Sequence, residues 1–240
     1  MSEIKKDKSG VEKKLRIAKF LAACGLTSRR KCEELVLEGK IKVNKKIISD
    51  LSCRVSNSDT VEYNGRILKQ KENVVIALNK PPGYISTVKD DFERKTVLDL
   101  IKEKDWRLFP VGRLDANSRG LILLTNDGEF AHRVLHPKFQ IPKIYEVTIQ
   151  GKISNNVINK LCRGIRIEEK IFIPSSVKIL KHEPNHTVLE IEIMEGRKRI
   201  LRKAFKELGY IVLDLKRIQI GSYKLGDLKE GSYKILDKKE

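Results

Sequence analysis

The chain has 240 residues, room for one large domain or two small ones. Its 50 lysines and arginines against 32 aspartates and glutamates leave a net charge of +18, which makes a polyanion the first partner to consider. At 40 % hydrophobic it is too apolar for a disordered tail, and its longest apolar runs, Phe20 to Cys24 and Val74 to Leu78, are far too short for a membrane span or a signal peptide.

The first fourteen residues, MSEIKKDKSGVEKK, read as a flexible basic leader. Leu15, Ala18, Leu21 and Ala22 then recur at helical spacing until Gly25 supplies a stop. Thr27 or Ser28 caps a second helix whose apolar face is Cys32, Leu35 and Val36, ended by Gly39. Short β-like pieces follow (IKVN, KKIISD, TVEYN, RIL), with Asn64-Gly65 as a hairpin turn. The polar stretch LKQKEN separates this unit, residues 15–72, from a second domain over 73–240.

In the second domain the expected strands are 74–79, 108–114, 120–125, 143–150, 165–167, 171–181, 187–194, 211–219 and 231–236. Helices are expected over 96–103, 128–135, 154–162 and 198–208. Several strands follow one another directly, so the expected class is α+β with a mostly antiparallel sheet rather than a doubly wound fold. Cys24, Cys32, Cys53 and Cys162 are too few and scattered for a disulfide framework or a zinc knuckle, and read as reduced core residues. His132 and His136 stand four apart, but no acidic or cysteine ligand is suitably spaced with them, so no metal is expected. No glycine-rich nucleotide loop is present either.

Both domains are basic: +6 over 15–72 and +10 over 73–240. Helix N-termini ordinarily attract acidic side chains. Here the second helix opens on Ser28-Arg29-Arg30-Lys31, and a late helix opens on Gly196-Arg197-Lys198-Arg199. One such cluster is an ordinary solvated face. Two of them on a chain of +18 point to phosphate, because free backbone N–H groups and basic side chains converge there. Aromatic residues are only 6 %, and no aromatic-rich strand suggests a base-stacking platform, so backbone and shape are expected to dominate the contact.

The stretch FPVGRLDANSRGLILLTNDGEFAHRVL places Asp115 at a strand end, ahead of Asn117 and Ser118 in a tight polar turn. An aspartate in such a turn is ordinarily structural, bonding its own backbone. Arg113, two residues earlier in the expected strand, would point to the same side as Asp115.

Several segments in one order carry a specific resemblance. GRLDANSRGLILLTNDGEFA resembles the signature of bacterial ribosomal RNA pseudouridine synthases of the RsuA/RluB type. ALNKPPGYIST at 77–87, HPKFQIPKIYEV at 136–147 and MEGRKRILRKAFKELGYIVLDLKRIQIG at 194–221 resemble its other motifs. GLTSRRKCEELVLEGKIKVN resembles the small alpha-L RNA-binding domain that precedes the catalytic domain in these enzymes. The resemblance implies conversion of a uridine in ribosomal RNA to pseudouridine without metal, nucleotide or other cofactor, by a cytoplasmic protein taken to be a monomer. It favours large-subunit 23S RNA, with small-subunit 16S RNA as the alternative substrate. A non-catalytic rRNA-binding assembly protein on the same scaffold is the rival class.

By resemblance Asp115 is the essential carboxylate, Tyr145 stacks on the uracil, and Arg202 pairs with Asp115. Arg113, Arg29, Arg30, Lys31, Arg197, Lys198 and Arg199 are expected to hold RNA. Ile200 departs from the glutamine common in relatives, as does Lys198 from asparagine, which removes a polar contact there.

Overall fold

The computed structural model describes residues 14–103 and 105–236; the leader expected over 1–14 lies, but for Lys14, outside them. The chain forms two compact units, Met1–Asn73 and Val74–Glu240. Among the described residues no helix is long and apolar enough to cross a membrane.

The first unit runs β1 (Leu15–Arg16), α1 (Ile17–Ala23), α2 (Arg29–Leu37), β2 (Ile41–Val43), β3 (Lys46–Ile48), β4 (Arg54–Val55), β5 (Val61–Tyr63) and β6 (Arg66–Ile67). Ser28 caps α2, its Oγ accepting the Lys31 amide at 3.3 Å. Asn64 and Gly65 both take left-handed backbone, φ 49° and 74°, as the turn from β5 to β6 requires. Ile17, Phe20 and Leu21 of α1 pack with Cys32 and Val36 of α2 against Ile41 and Val61 of the antiparallel sheet β3-β2-β5-β6.

The second unit runs β7 (Val75–Lys80), β8 (Phe109–Val111), β9 (Arg119–Thr125), α3 (Gly128–Leu135), β10 (Lys143–Gln150), α4 (Asn155–Arg163), β11 (Ile165–Ile167), β12 (Lys170–Phe172), β13 (Ser176–His182), β14 (His186–Ile193), α5 (Ile200–Glu207), β15 (Val212–Ile220), β16 (Tyr223–Lys224) and β17 (Tyr233–Leu236). Its main sheet has the order β13-β14-β10-β15-β9-β7-β17, with β16 on β15 and β8 on β9. Every one of these pairings is antiparallel except β9 with β15. The class is therefore α+β with mostly antiparallel sheets.

The central strands β7 and β9 are buried on both faces. Ile76, Leu78, Ile122 and Leu124 join a large core with α5 and the β10 face, while Ala77, Leu121 and Leu123 pack under Phe130, Ala131 and Val134 of α3. That double burial is why VVIAL and LILL are unbroken apolar runs. KIYEVTIQ alternates instead, with Lys143, Tyr145, Val147 and Ile149 inward.

Four expectations need correction. The strand expected over 171–181 is two pieces, because Pro174 cannot join a ladder and ends the β11–β12 hairpin before β13 starts. The helix expected over 96–103 is one 3-10 turn, Val97–Leu100, held by a Thr96–Asp99 capping box; Ile101 then turns extended and is buried. The strand expected over 108–114 stops at Val111, and the chain enters a loop at Gly112. Cys162 is exposed, whereas Cys24 and Cys32 are core residues; burial pushes the Cys24 thiol up to about 12, with Cys32 adding to it.

Candidate active site

The loop of residues 112–118 between β8 and β9 carries Asp115, and several contacts fix it. The Ser118 amide donates to the Asp115 carbonyl at 3.0 Å, closing a tight turn. Ser86 Oγ donates to the Leu114 carbonyl at 3.0 Å and accepts the Leu114 amide at 3.1 Å. The Gly83 amide donates to the Ala116 carbonyl at 2.9 Å. At the loop's exit Arg119 grips Asp214 of β15 with Nε at 3.0 Å and Nη2 at 2.7 Å. The bonds to Asp214 hold the Arg119 pKa above its ordinary value, despite partial burial.

Beneath the loop lies Lys80, the last residue of β7 and fully buried. Its Nζ donates to the carbonyls of Pro81 at 3.0 Å, Ala116 at 3.0 Å and Ser118 at 2.7 Å. Burial pulls its pKa down to about 8, opposed by the negative charges of Asp115 and Glu230. The charged form is thus costly here and is kept by carbonyls and a nearby carboxylate. KPPGYIS therefore supplies both a cation under the loop and a clamp on either side of Asp115.

The Asp115 side chain is 28 % exposed, and Arg199 Nη1 stands 3.5 Å from its Oδ2. That contact sits at the outer limit of a hydrogen bond, on an arginine that is itself 48 % exposed. The partner expected from resemblance was Arg202. Instead, Arg202 Nη1 donates to the Val212 carbonyl at 2.9 Å, and its buried Nε has no partner among the described residues. Burial lowers the Arg202 pKa, Arg199 lowers it further, and Asp115 and Asp214 oppose both. Arg202 therefore feels Asp115 through space without bonding to it. Arg113 is exposed beyond Gly112, outside the strand, so strand alternation no longer aligns it with Asp115.

Tyr145 lies between Ile191 of β14 and Arg217 of β15, 8 % exposed and within the core. Arg217 is 3 % exposed; its Nε donates to the Leu121 carbonyl at 2.8 Å, and its Nη1 lies 3.4 Å from the Tyr145 hydroxyl. Its Nη2 is buried without a partner. Lys143, on the same inward face, donates to the Ile141 carbonyl at 2.7 Å; burial lowers its pKa, and Arg217 adds to the shift. Three buried side-chain atoms lack partners among the described residues, on Ser118, Arg202 and Arg217, and all three residues border this site. Lys80, Ser86 and Arg217 were not singled out from the sequence. For Lys80 the signal was there in NKPPG, a charge closing an apolar strand, whereas Arg217 stands beside Lys216 in the mixed run VLDLKRIQI and carries no such mark.

The basic clusters differ from expectation in one respect. Arg29, Arg30 and Lys31 form the exposed first turn of α2, with Arg29 3.4 Å from Glu33. The late helix, however, starts only at Ile200, and Arg199 precedes it in left-handed backbone, φ 56°. Arg197 is tied to Glu195 and to the Ile171 carbonyl, Lys198 is exposed, and Ile200 points into the core. Among the described residues no three His, Cys, Asp or Glu side chains converge as a metal-binding group would require.

A carboxylate on a firmly fastened loop, with Arg199 beside it, Lys80 beneath the loop and Arg202 within its field, on a strongly basic two-unit chain, suits a protein that acts on a polyanion. The family profile of RNA pseudouridylate synthases matches residues 74–207, and that of the S4 domain matches residues 15–61. An RNA pseudouridine synthase of Aquifex aeolicus is 41 % identical, covering 94 % of this chain and 92 % of its own length. Ribosomal large subunit pseudouridine synthase B of Bacillus subtilis is 41 % identical, over 92 % of this chain and 91 % of its own. A crystal structure of a pseudouridylate synthase superposes with a TM-score of 0.67 at 30 % identity, covering 93 % of this chain and 96 % of that one. The chain belongs to the RNA pseudouridine synthase family, isomerases that act on RNA, and carries an S4 domain ahead of the catalytic one.

Proposed function

We propose that this protein converts a uridine of large-subunit 23S ribosomal RNA to pseudouridine, with Asp115 as the essential carboxylate. The observation that carries the reading is the loop of Asp115, fastened from below by Lys80 and on both sides by Ser86 and Gly83. Such a loop aims a carboxylate without reorganising at the moment of reaction. The likeness to the Bacillus large-subunit enzyme over nearly the whole chain supports the substrate.

In the isomerisation the bond from uracil N1 to the ribose breaks, the base turns, and C5 bonds to the same sugar carbon. The hydrogen of C5 leaves as a proton and N1 takes up one, so the product is an isomer and nothing is oxidised or reduced. Asp115 acts on the sugar or base as a nucleophile, or on a sugar proton as a base; each role requires it ionised. Arg199 stands 3.5 Å from its Oδ2 and orients it, and Arg202 interacts with its charge through space. In this reading Tyr145, though only 8 % exposed, stacks on the base, and the exposed Arg29, Arg30, Lys31, Arg113 and Lys198 hold phosphates. Flipping the target uridine out of its stack costs a few kcal/mol, drawn from those contacts. Such work on ribosomal RNA belongs in the cytoplasm.

The test is tritium release from rRNA transcripts labelled at uridine C5. Wild type should release label from 23S and not 16S transcripts, and Asp115→Asn should bind RNA without releasing it. Release by Asp115→Asn at the wild-type rate would remove Asp115 from the role. No release from 23S, 16S or assembly intermediates would favour the non-catalytic RNA-binding protein.

A further inference from the structure

Phe92 is the most exposed of the large apolar side chains described, at 79 %. It sits on the loop of residues 87–95, which leaves the segment that clamps Asp115. Ser86, at the loop's base, exchanges two hydrogen bonds with Leu114, and Gly83 bonds Ala116. The stem is closed by Ile85, which pairs with Thr96, donates to the Lys95 carbonyl and accepts from the Val97 amide. An aromatic ring left in water on this loop buries nothing for the fold.

The backbone that carries the ring is nonetheless fixed. The Asp90 carboxylate accepts the amides of Phe92 at 3.1 Å and Arg94 at 3.0 Å, and grips the Arg94 guanidinium at 3.0 and 2.6 Å. Glu93 takes left-handed backbone, φ 55°, so that the chain folds back over Asp90. The guanidinium carbon of Arg94 then lies 5.2 Å from the centre of the Phe92 ring. Nearer the stem, Lys95 Nζ stands 5.9 Å from the Tyr84 ring in the same manner. Each aromatic thus has a cation beside it.

We propose that Phe92, held by Asp90 and backed by Arg94, is a stacking site for an unpaired base of the RNA strand that carries the target uridine. A guanidinium beside an aromatic ring is an arrangement that stacks bases without selecting among them. A nucleobase is favoured over a phosphate as occupant because Asp91 and Glu93 flank Phe92 in the chain and both are exposed. Flipping one nucleotide exposes the faces of its neighbours, and a ring on the loop that leaves the Asp115 clamp is offered to one of them. The inference rests on the chain acting on RNA, not on which uridine it modifies.

The experiment measures binding, apart from catalysis, to a short single-stranded RNA of mixed sequence and to that strand annealed to its complement. Phe92→Leu should weaken single-strand binding roughly 5- to 100-fold while leaving duplex binding within twofold. Phe92→Trp should keep wild-type affinity, and the new indole's fluorescence should be quenched as the single strand is added. The salt dependence of binding should be unchanged in all variants, because no phosphate contact is removed. Equal losses on both RNAs, or none in Phe92→Leu, would overturn the proposal. A loss in Phe92→Leu together with no tritium release by wild type would keep the stacking site and sink the modification reading. Unchanged thermal unfolding confirms that the variants report on binding.

Discussion

Lys80 donates to the carbonyl of Ser118 at 2.7 Å from beneath the loop that presents Asp115, and to that of Ala116 at 3.0 Å. One buried ammonium thereby links the end of β7 to the start of β9. Lys80→Met keeps the length and apolar stem but leaves carbonyls unpaired, at ~1–3 kcal/mol for a buried group. Unfolding in urea should show a loss of that order. The rate of tritium release should fall tenfold or more, with RNA affinity little changed. A stable variant of normal rate would show that the loop holds its shape without the lysine.

Lys80 also sets a pH dependence. Burial lowers its pKa from 10.5 to about 8, so between those values the folded chain holds fewer protons than the unfolded one. Stability therefore rises with pH across that window, and the cost of burying the charge is felt in full below about 8. Subtracting the urea midpoints of Lys80→Met from those of wild type isolates this contribution from that of Lys143. The difference should shift in favour of wild type between pH 8 and 10; a difference independent of pH would contradict the lowered value.

Resemblance pairs Arg202 with Asp115, but Arg199 makes the contact while Arg202 interacts only through space. Arg199 is exposed and touches Asp115, so Arg199→Gln should lower the rate severalfold and leave stability within ~0.5 kcal/mol of wild type. Arg202 is partly buried and bonded to Val212, so Arg202→Gln should lower both rate and stability, the latter by ~1–2 kcal/mol. Rate measurements with matched unfolding curves separate the two. A silent Arg199→Gln beside an inactive, stable Arg202→Gln would return the pairing to Arg202.

What the sequence shows best is periodicity tied to burial. KIYEVTIQ alternates because one side faces the core, and Asn64-Gly65 turns where both residues must be left-handed. It misleads where one residue overrides a run. Pro174 splits the 171–181 segment, and the Thr96–Asp99 cap starts a helix that the buried Ile101 ends after one turn. Resemblance singles out Asp115, but the contacts that hold its loop are not legible in the same way. The reach of Lys80 to carbonyls 36 and 38 positions away, and the exchange of Arg202 for Arg199, depend on side-chain paths that no spacing encodes.

Gly120 shows how closely β9 and β15 approach. Its φ is 100°, and a Cβ built there would lie 2.3 Å from the Arg217 carbonyl oxygen. Neither backbone can yield, because Arg119 beside it is fixed to Asp214 and Arg217 pairs with Tyr145 across the sheet. Gly120→Ala should cost at least ~3 kcal/mol, read from urea unfolding. A loss under about 1 kcal/mol would mean that the two strands part more easily than their register implies.

Arg217 pairs with Gly120 on one side and Tyr145 on the other, so it stands in the sheet between the strand leaving Asp115 and the strand bearing the tyrosine. A guanidinium 3 % exposed is expensive to bury, yet among the described residues only the Leu121 carbonyl and the Tyr145 hydroxyl receive its bonds. If it positions that hydroxyl for the reaction, Arg217→Lys and Tyr145→Phe should each slow turnover without changing RNA affinity. Their effects should then fail to multiply: in the Tyr145→Phe background Arg217→Lys should slow the rate no further. A purely structural arginine predicts the opposite, rate losses that multiply and track the thermal midpoint. Measuring four rates and four unfolding curves therefore decides between a positioning residue and a packing one.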